Sequence, residues 1–235
     1  MQLAEVMASL EQHGSAATRK VLINHGAPAS TYGVKVADLK KIARQIKGEQ
    51  ALALALYHTG QADAQYLAGL VADGRRMDRP TLQRWAEASV SAMIAEYTVA
   101  WVASESPEGR SLAMAWMDAP SERVASTGWS TYAGLVAITP DAALDVAEVE
   151  RLLDRVAEDI HAAPNRVRYC MNGLVIAVGA YVAPLLPKAL SVAERVGKVK
   201  VDMNGTACKV PPAREALAKI ESMGRVGKKR KTIRC

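Results

Sequence analysis

The spacing of the aliphatic residues restricts the fold of this chain more than any other feature of its sequence. Leu3, Val6, Met7 and Leu10 lie three and four positions apart, and similar intervals recur along almost the whole length. Apolar side chains at this spacing share one face of an α-helix. Glycine and proline residues divide the pattern into about a dozen helical segments of roughly 10–18 residues, which follow one another in pairs at a rhythm of about 35–45 residues.

These pairs predict an all-α fold of the HEAT/ARM type, in which helical hairpins stack side by side into an α-α superhelix. The composition agrees, because the 235 residues include no Phe and the core must be built from Ala, Leu, Val, Ile and Met. Small side chains allow neighbouring helices to approach closely. No exact sequence repeat stands out, so an irregular helical bundle is the alternative.

Charge is distributed unevenly along the chain. Residues 197–235 contain 11 Lys or Arg and 3 Asp or Glu, an excess of +8 in a chain whose net charge is +6. The first 196 residues therefore carry about −2, and a near-neutral body with a basic end is typical of proteins that bind nucleic acid. A solvated tail that aids solubility would have the same composition. We predict one helical-repeat domain over residues 1–223 and a basic tail over residues 224–235.

One segment departs from the helical pattern. Asn204-Gly205 stands between two stretches in which lysines alternate with apolar residues. An Asn-Gly pair in this setting favours a two-residue hairpin turn, so we expect one small β-hairpin near residues 198–210. Such a hairpin would place Lys200 opposite Lys209, an unfavourable pair that a phosphate between the two ammonium groups would stabilise. A loop with splayed lysines is the alternative.

A family resemblance is carried by residues 32–43. An aromatic-Gly-aliphatic sequence from Tyr32 to Val34 precedes a helix in which Leu39 is followed by Lys40 and Lys41. With this motif the chain resembles the AlkD-type DNA alkylation repair family, and its helical hairpins extend the resemblance loosely over most of its length. The resemblance implies a C-shaped superhelix that wraps duplex DNA, whether alkylated or distorted, on a basic concave face. It also implies excision of N3- and N7-alkylated purines by hydrolysis of the N-glycosidic bond.

Enzymes of that family use a Trp with an Asp four residues later on the same helix face. The resemblance places this pair at Trp85 and Ser89, and it places a second family Trp near Leu174. Ser89 cannot supply the negative charge that stabilises an oxocarbenium-like sugar, so the catalytic Asp is not evident at the matching position. Trp101 and Glu105 have the same spacing and could form the catalytic pair instead. The alternative is a core Trp followed by a Glu at an exposed helix end.

A polar helix face in the C-terminal half fits contact with DNA. Asn165, Arg168, Tyr169 and Asn172 fall on one face of a predicted helix, and Arg166 lies beside them. Arg, Tyr and Asn side chains suit phosphate and groove contacts. An exposed face that holds interhelix hydrogen bonds is the alternative.

Further predicted contacts come from one aromatic residue and from the basic end. Trp129 lies among small polar residues, where it could stack on a sugar or base or could fill the core. The cations predicted to contact phosphates are Lys200, Lys209, Lys228, Lys229, Arg230 and Lys231.

Several classes of function are not favoured. The three cysteines are widely spaced and no His pair occurs at i, i+4, so we expect neither a metal site nor a disulfide framework. No dinucleotide fingerprint or phosphate loop occurs, and no cofactor is expected. The uncharged stretch 169–187 contains Pro184 and Pro187, so two buried helices explain it better than a membrane span. The first residues resemble a helix rather than a signal peptide, and we expect a cytoplasmic monomer.

Three functions are compatible with these observations. We favour a DNA-binding protein of the alkylation repair family, with or without glycosylase activity. A non-catalytic helical-repeat scaffold that binds a protein partner or unusual DNA structures is the first alternative. An enzyme with different chemistry around Trp101 and Glu105 is the second.

Overall fold

The computed structural model describes residues 1–234 and confirms the all-α prediction. Within this range the chain forms thirteen α-helices and no β-strand. It divides into two compact units, which we call unit 1 and unit 2. Unit 1 comprises residues 1–108 with 203–207, and unit 2 comprises residues 109–202 and the chain from Cys208 onward. Cys235, one of the three cysteines, lies outside the described residues.

Unit 1 contains seven of these helices. They are α1 (Leu3–His13), α2 (Ala16–Asn24), α3 (Val36–Gln45), α4 (Gln50–His58), α5 (Ala62–Val71), α6 (Arg79–Ala88) and α7 (Ala100–Ser104). Side-chain caps set several of the starts: the Ser15 hydroxyl accepts from the Thr18 amide at 3.3 Å, and Asp78 accepts from the Thr81 amide at 2.8 Å. A π-helical stretch over Ile94–Val99 runs directly into α7.

The loop from Tyr32 to Val34 is fixed by one buried carboxylate. Asp63, which is 3% exposed in α5, accepts hydrogen bonds from the amides of Tyr32 (2.8 Å), Gly33 (3.2 Å) and Val34 (2.8 Å). Gly33 has φ +83°, and a Cβ added there would lie 2.3 Å from the backbone N of Arg19. Only glycine fits this conformation and this close approach, which explains the motif at residues 32–34.

Unit 2 contains the other six helices. They are α8 (Gly109–Met117), α9 (Glu122–Ile138), α10 (Val146–Asp159), α11 (Asn165–Tyr181), α12 (Leu186–Val196) and α13 (Ala213–Ser222). The long helices α9 and α11 pack together at the centre of an apolar core that includes Trp129, Leu153 and Leu174. Gly128 lets α9 approach α8, because an added Cβ would lie 2.7 Å from the Met117 amide N.

The predicted β-hairpin at residues 198–210 is wrong, although its turn forms. Asn204 and Gly205 both have positive φ, at 55° and 67°, and the Thr206 amide donates to the Met203 carbonyl at 3.1 Å. The flanking residues form no strand in the described chain. Backbone groups at Asp202 and Pro211 bond instead to side chains of α11. Asp202 and Pro211 therefore bond to α11 rather than across a strand ladder.

Membrane-spanning potential is limited to one helix pair. No single helix within residues 1–234 is long and apolar enough to cross a bilayer. Residues 165–181 and 183–196 satisfy the criteria of length and composition only when taken together, and they are bent by 117°.

Candidate nucleic-acid interface

Two asparagines of α11 hold the extended backbone on both sides of the Asn204-Gly205 turn. Asn165 donates from Nδ2 to the Asp202 carbonyl at 2.9 Å and accepts at Oδ1 from the Asp202 amide at 2.7 Å. Asn172, which is 2% exposed, donates to the Pro211 carbonyl at 3.0 Å. The two asparagines are about two helical turns apart and share one face. Asn165 and Asn172 therefore form hydrogen bonds within the protein, which was the alternative to DNA contact for this helix face.

The cationic side chains of the same helix remain partly open to solvent. The Arg166 guanidinium lies 4.5 Å from the centroid of the Tyr169 ring, a cation–π contact that restrains its position. Its backbone amide donates to Glu122 Oε1 at 2.7 Å. Arg168 donates only a long 3.5 Å hydrogen bond to Asn165 Oδ1 and pairs with no carboxylate within residues 1–234. Its positive charge therefore remains available to an anion.

Lys200 and Lys209 lie on the two extended stretches that α11 holds. Both side chains are exposed, and neither forms an ion pair in the part of the chain that the structure describes. The absence of a ladder means that they are not forced directly opposite one another. Their ammonium groups face solvent from a backbone that the asparagines fix.

The segment 227–230 of the basic tail forms hydrogen bonds with helices of unit 2. The Gly227 amide donates to the Ala180 carbonyl at 2.8 Å, and the Arg230 amide donates to the Ala137 carbonyl at 2.8 Å. These carbonyls belong to the last turns of α11 and α9, where helical carbonyls lack a partner in their own helix. The tail therefore caps both helices.

One tail lysine differs from its neighbours. Lys229 donates from Nζ to the Val136 carbonyl at 2.8 Å and pairs with Asp141 at 2.8 Å, and its side chain is only 20% exposed. Lys228, Arg230 and Lys231 are exposed. The structure therefore separates one anchoring cation from three that face solvent.

Trp129 lies in the core of unit 2. It is 1% exposed, and the Arg155 guanidinium lies 5.2 Å from the centroid of its ring. Arg155 in turn pairs with Asp118 at 2.7 Å. Stacking of a base on Trp129 would require this arrangement to move, so the core alternative describes its position.

Trp85 and Ser89 do not form an exposed pair. Trp85 is 4% exposed and stacks on Tyr57, with ring centroids 3.9 Å apart and an angle of 6° between the planes. Ser89 follows the last residue of α6, is fully buried, and donates to the Ala86 carbonyl at 2.9 Å. A carboxylate at this position would be buried without access to a sugar.

Trp101 and Glu105 lie in an aromatic region of unit 1. Trp101 is 7% exposed and makes edge contacts with Tyr66 and Tyr97, at centroid distances of 5.5 and 6.1 Å. Glu105 caps the C-terminus of α7 and is half-buried. Gly74 packs against it, because an added Cβ would lie 2.9 Å from Glu105 Cβ. Of the two predicted pairs, this one retains a partly accessible carboxylate.

A polar cluster in unit 2 has no counterpart among the predictions made from the sequence. Glu148 accepts from Arg110 Nε at 2.7 Å and from the Tyr132 hydroxyl at 2.7 Å, while Arg110 also pairs with Asp145 at 2.8 Å. The hydrogen bond from Arg110 lowers the pKa of Glu148. Burial, followed by the hydrogen bond to Glu148, raises the pKa of Tyr132. Tyr132 and Arg110 are 16 and 38 positions from Glu148, so no local motif could have linked them to it.

No group of three or more His, Cys, Asp or Glu within residues 1–234 is arranged to hold a metal ion. Cys170 is buried and accepts a hydrogen bond from the Ser130 hydroxyl at 3.3 Å, whereas Cys208 is exposed.

Known proteins define the class of this fold. A solved structure with 35% sequence identity superposes with a TM-score of 0.92, and the match covers 100% of both chains. It is described as belonging to "a new family of proteins related to the HEAT-like repeat DNA glycosylases with affinity for branched DNA structures". The present chain therefore has a HEAT-like repeat fold related to that of these glycosylases.

The family follows from a second comparison. The family model for DNA alkylation repair enzymes matches residues 6–220, and the chain belongs to this family. Uncharacterised proteins of Listeria monocytogenes and Listeria innocua are each 33% identical over 201 residues, which cover 83% of this chain and 87% of each relative. Both the fold and the family predicted from the sequence are confirmed.

Proposed function

We propose that this chain is a DNA-binding member of the alkylation repair family that binds branched DNA through the cations of unit 2. The observation that carries the proposal is a set of solvent-facing cations on a backbone fixed by Asn165, Asn172 and the tail. Backbone-phosphate contacts of this kind carry no sequence information and suit a ligand recognised by its shape. The affinity of the related solved protein for branched DNA supports the same ligand.

The test compares a four-way junction, a fork and an unbranched duplex of equal length by fluorescence anisotropy over a salt series. We expect the junction to bind most tightly and its affinity to fall steeply with salt, since each phosphate contact adds about 0.9 to the slope of log K against log salt. Substituting Lys200→Gln with Lys209→Gln should reduce that slope by roughly two.

A matched control is available in the same unit. Arg195 and Lys219 are exposed cations on α12 and α13, and the double variant Arg195→Gln with Lys219→Gln removes the same charge. We expect the control to keep the slope of the unmodified protein. Weak binding that is insensitive to salt would contradict the proposal and favour a scaffold for a protein partner.

Glycosylase activity is the second candidate function, and it rests on the half-buried Glu105 carboxylate, which follows Trp101 by one helical turn. Aromatic faces and a carboxylate stabilise the cationic sugar that forms when an N-alkylated purine leaves. The measurement is release of N3-methyladenine and N7-methylguanine from methylated duplex DNA. Release that is lost in Glu105→Gln, with junction affinity unchanged, would support this activity. Absence of release from the unmodified protein would contradict it.

A further inference from the structure

Unit 1 contains an open cleft between α4 and α6. None of the residues proposed above to contact DNA lines this cleft. Its cavity volume is about 570 Å³, and its walls are mostly apolar, with Leu54, Ala55, Tyr57, Trp85 and Ala88 among the residues that line it. Small-molecule sites in proteins have volumes of about 300–1,000 Å³. The cleft is therefore large enough for one nucleotide.

The walls of this cleft are fixed by Gln65. This side chain of α5 is fully buried and donates from Nε2 to the carbonyls of Ala88 (3.0 Å) and Tyr57 (3.4 Å), while its Oε1 accepts from the Val90 amide at 3.1 Å. The two carbonyls belong to the last turns of α6 and α4, where they lack partners within their own helices. Gln65 therefore ties the ends of both walls together, and the cleft exists before any ligand arrives.

The aromatic floor adds to this rigidity. Tyr57 and Trp85 stack face to face, and the Tyr57 hydroxyl donates to the Trp85 carbonyl at 2.6 Å. Both side chains are almost completely buried. This stacked pair is therefore a rigid part of the cleft lining.

The charge at the cleft is positive. No Asp or Glu lines it, whereas Arg84 and His58 are exposed at its edge. Arg84 donates to the Thr81 hydroxyl at 2.9 Å and pairs with no carboxylate within residues 1–234. An apolar cleft bordered by a guanidinium that forms no direct ion pair within residues 1–234 is complementary to a ligand that combines a flat apolar body with an anionic group.

We infer that this cleft binds an unpaired nucleotide of DNA, with the base between α4 and α6 and the adjacent phosphate on Arg84. The inference rests on the proposed function, because forks and junctions with extra nucleotides at the branch point contain bases that are already unpaired. A base within a duplex must first be unstacked, and that cost is least for a base that has no partner. A phosphate alone would not require the apolar walls.

The first test uses free nucleotides and so does not depend on junction binding. The probe is the 5′-monophosphate of 2-aminopurine deoxyriboside, whose fluorescence reports its surroundings, and the comparison ligand is the same nucleoside without phosphate. We expect the unmodified protein to bind the monophosphate in the millimolar range. Arg84→Gln should weaken this binding about tenfold, to the level of the nucleoside.

Two further variants locate the binding. The double variant Ala55→Leu with Ala88→Leu fills the cleft at half-buried and exposed positions and should abolish binding of the monophosphate. Arg44→Gln removes an exposed arginine of α3 that does not line the cleft, and it should leave binding unchanged. Circular dichroism and thermal melting check that each variant is folded.

The second test uses a three-way junction with one extra, unpaired nucleotide at its branch point, and 2-aminopurine is the base of that nucleotide. Its fluorescence should change on binding to the unmodified protein but not to the cleft-filling variant. Failure of the unmodified protein to bind the monophosphate, or equal binding by the filled variant, would overturn the cleft assignment even if the junction binds. If the unmodified protein binds the monophosphate but does not bind the junction, only the proposed function is overturned.

Discussion

Asn165 forms hydrogen bonds with both the amide and the carbonyl of Asp202, and this pairing explains why the lysine-bearing segment is extended without being a strand. An asparagine side chain has both a donor group and an acceptor group, which match the two polar groups of a single backbone residue. Asn172 forms a single bond of this kind, from Nδ2 to the Pro211 carbonyl. The lysines at 200 and 209 are consequently presented from a fixed backbone.

Replacement of Asn165 by alanine should loosen that segment and reduce affinity for the junction. Both hydrogen bonds lie at an exposed position, so we expect a loss of about 1–2 kcal/mol in the free energy of unfolding. Hydrogen exchange at the Asp202 amide should become faster. The control is Asn24→Ala, at an exposed position of α2, which should alter neither quantity. Unchanged exchange at Asp202 in Asn165→Ala would contradict the assigned role.

The Arg110–Glu148–Tyr132 cluster predicts how stability depends on pH. The hydrogen bond from Arg110 lowers the pKa of Glu148 in the folded protein, so the contribution of Glu148 is complete above its unfolded pKa and is lost as the pH falls through the folded value. Glu148→Gln should therefore cost about 1 kcal/mol at pH 7, a figure reduced for the exposure of Arg110, and less at pH 3. Urea unfolding at both pH values measures the difference. An equal cost at the two values would contradict the prediction.

Restoring an acidic residue at the family's catalytic position should not restore catalysis. Ser89 is fully buried and lies beyond the end of α6, so Ser89→Asp would bury a carboxylate without a cationic partner. We expect no release of alkylated purines and a loss of about 3 kcal/mol in the free energy of unfolding. Ser89→Ala, which introduces no charge, should cost about 1 kcal/mol. Base release by a stable Ser89→Asp protein would show that this position reaches the DNA.

The regular helices and the motif at residues 32–34 could be predicted from the sequence because both depend on local rules. Aliphatic spacing indicates a helix, and a glycine at φ +83° in close contact with Arg19 leaves a visible aromatic-Gly-aliphatic signature. The Asn204-Gly205 turn was predictable for the same reason. The absence of strands beside it was not predictable, because Asn165, which bonds to Asp202, is 37 positions away.

Parts of the candidate sites depend on contacts that no local pattern reports. Residues 93–104 resemble one helix in sequence, yet Ile94–Val99 are π-helical. Gln65 resembles an ordinary polar residue on a helix, although it is fully buried and ties α4 to α6. The sequence around Trp129 was compatible both with stacking on a base and with a position in the core. Its burial beneath Arg155 in the structure distinguishes the two. Such distinctions arise from tertiary packing, which sequence spacing does not encode.

Two adjacent lysines of the tail should have separable effects. Lys229 pairs with Asp141 and donates to the Val136 carbonyl, whereas Lys228 is exposed, so Lys229→Met and Lys228→Met remove the same charge from different surroundings. Lys229→Met should lower the free energy of unfolding by about 1 kcal/mol and increase proteolysis of the tail. Lys228→Met should leave stability unchanged and reduce the salt dependence of junction binding by about one phosphate contact. Equal stability of the two variants would contradict the anchoring role of Lys229, and equal salt dependence of Lys228→Met and the unmodified protein would exclude Lys228 from the interface.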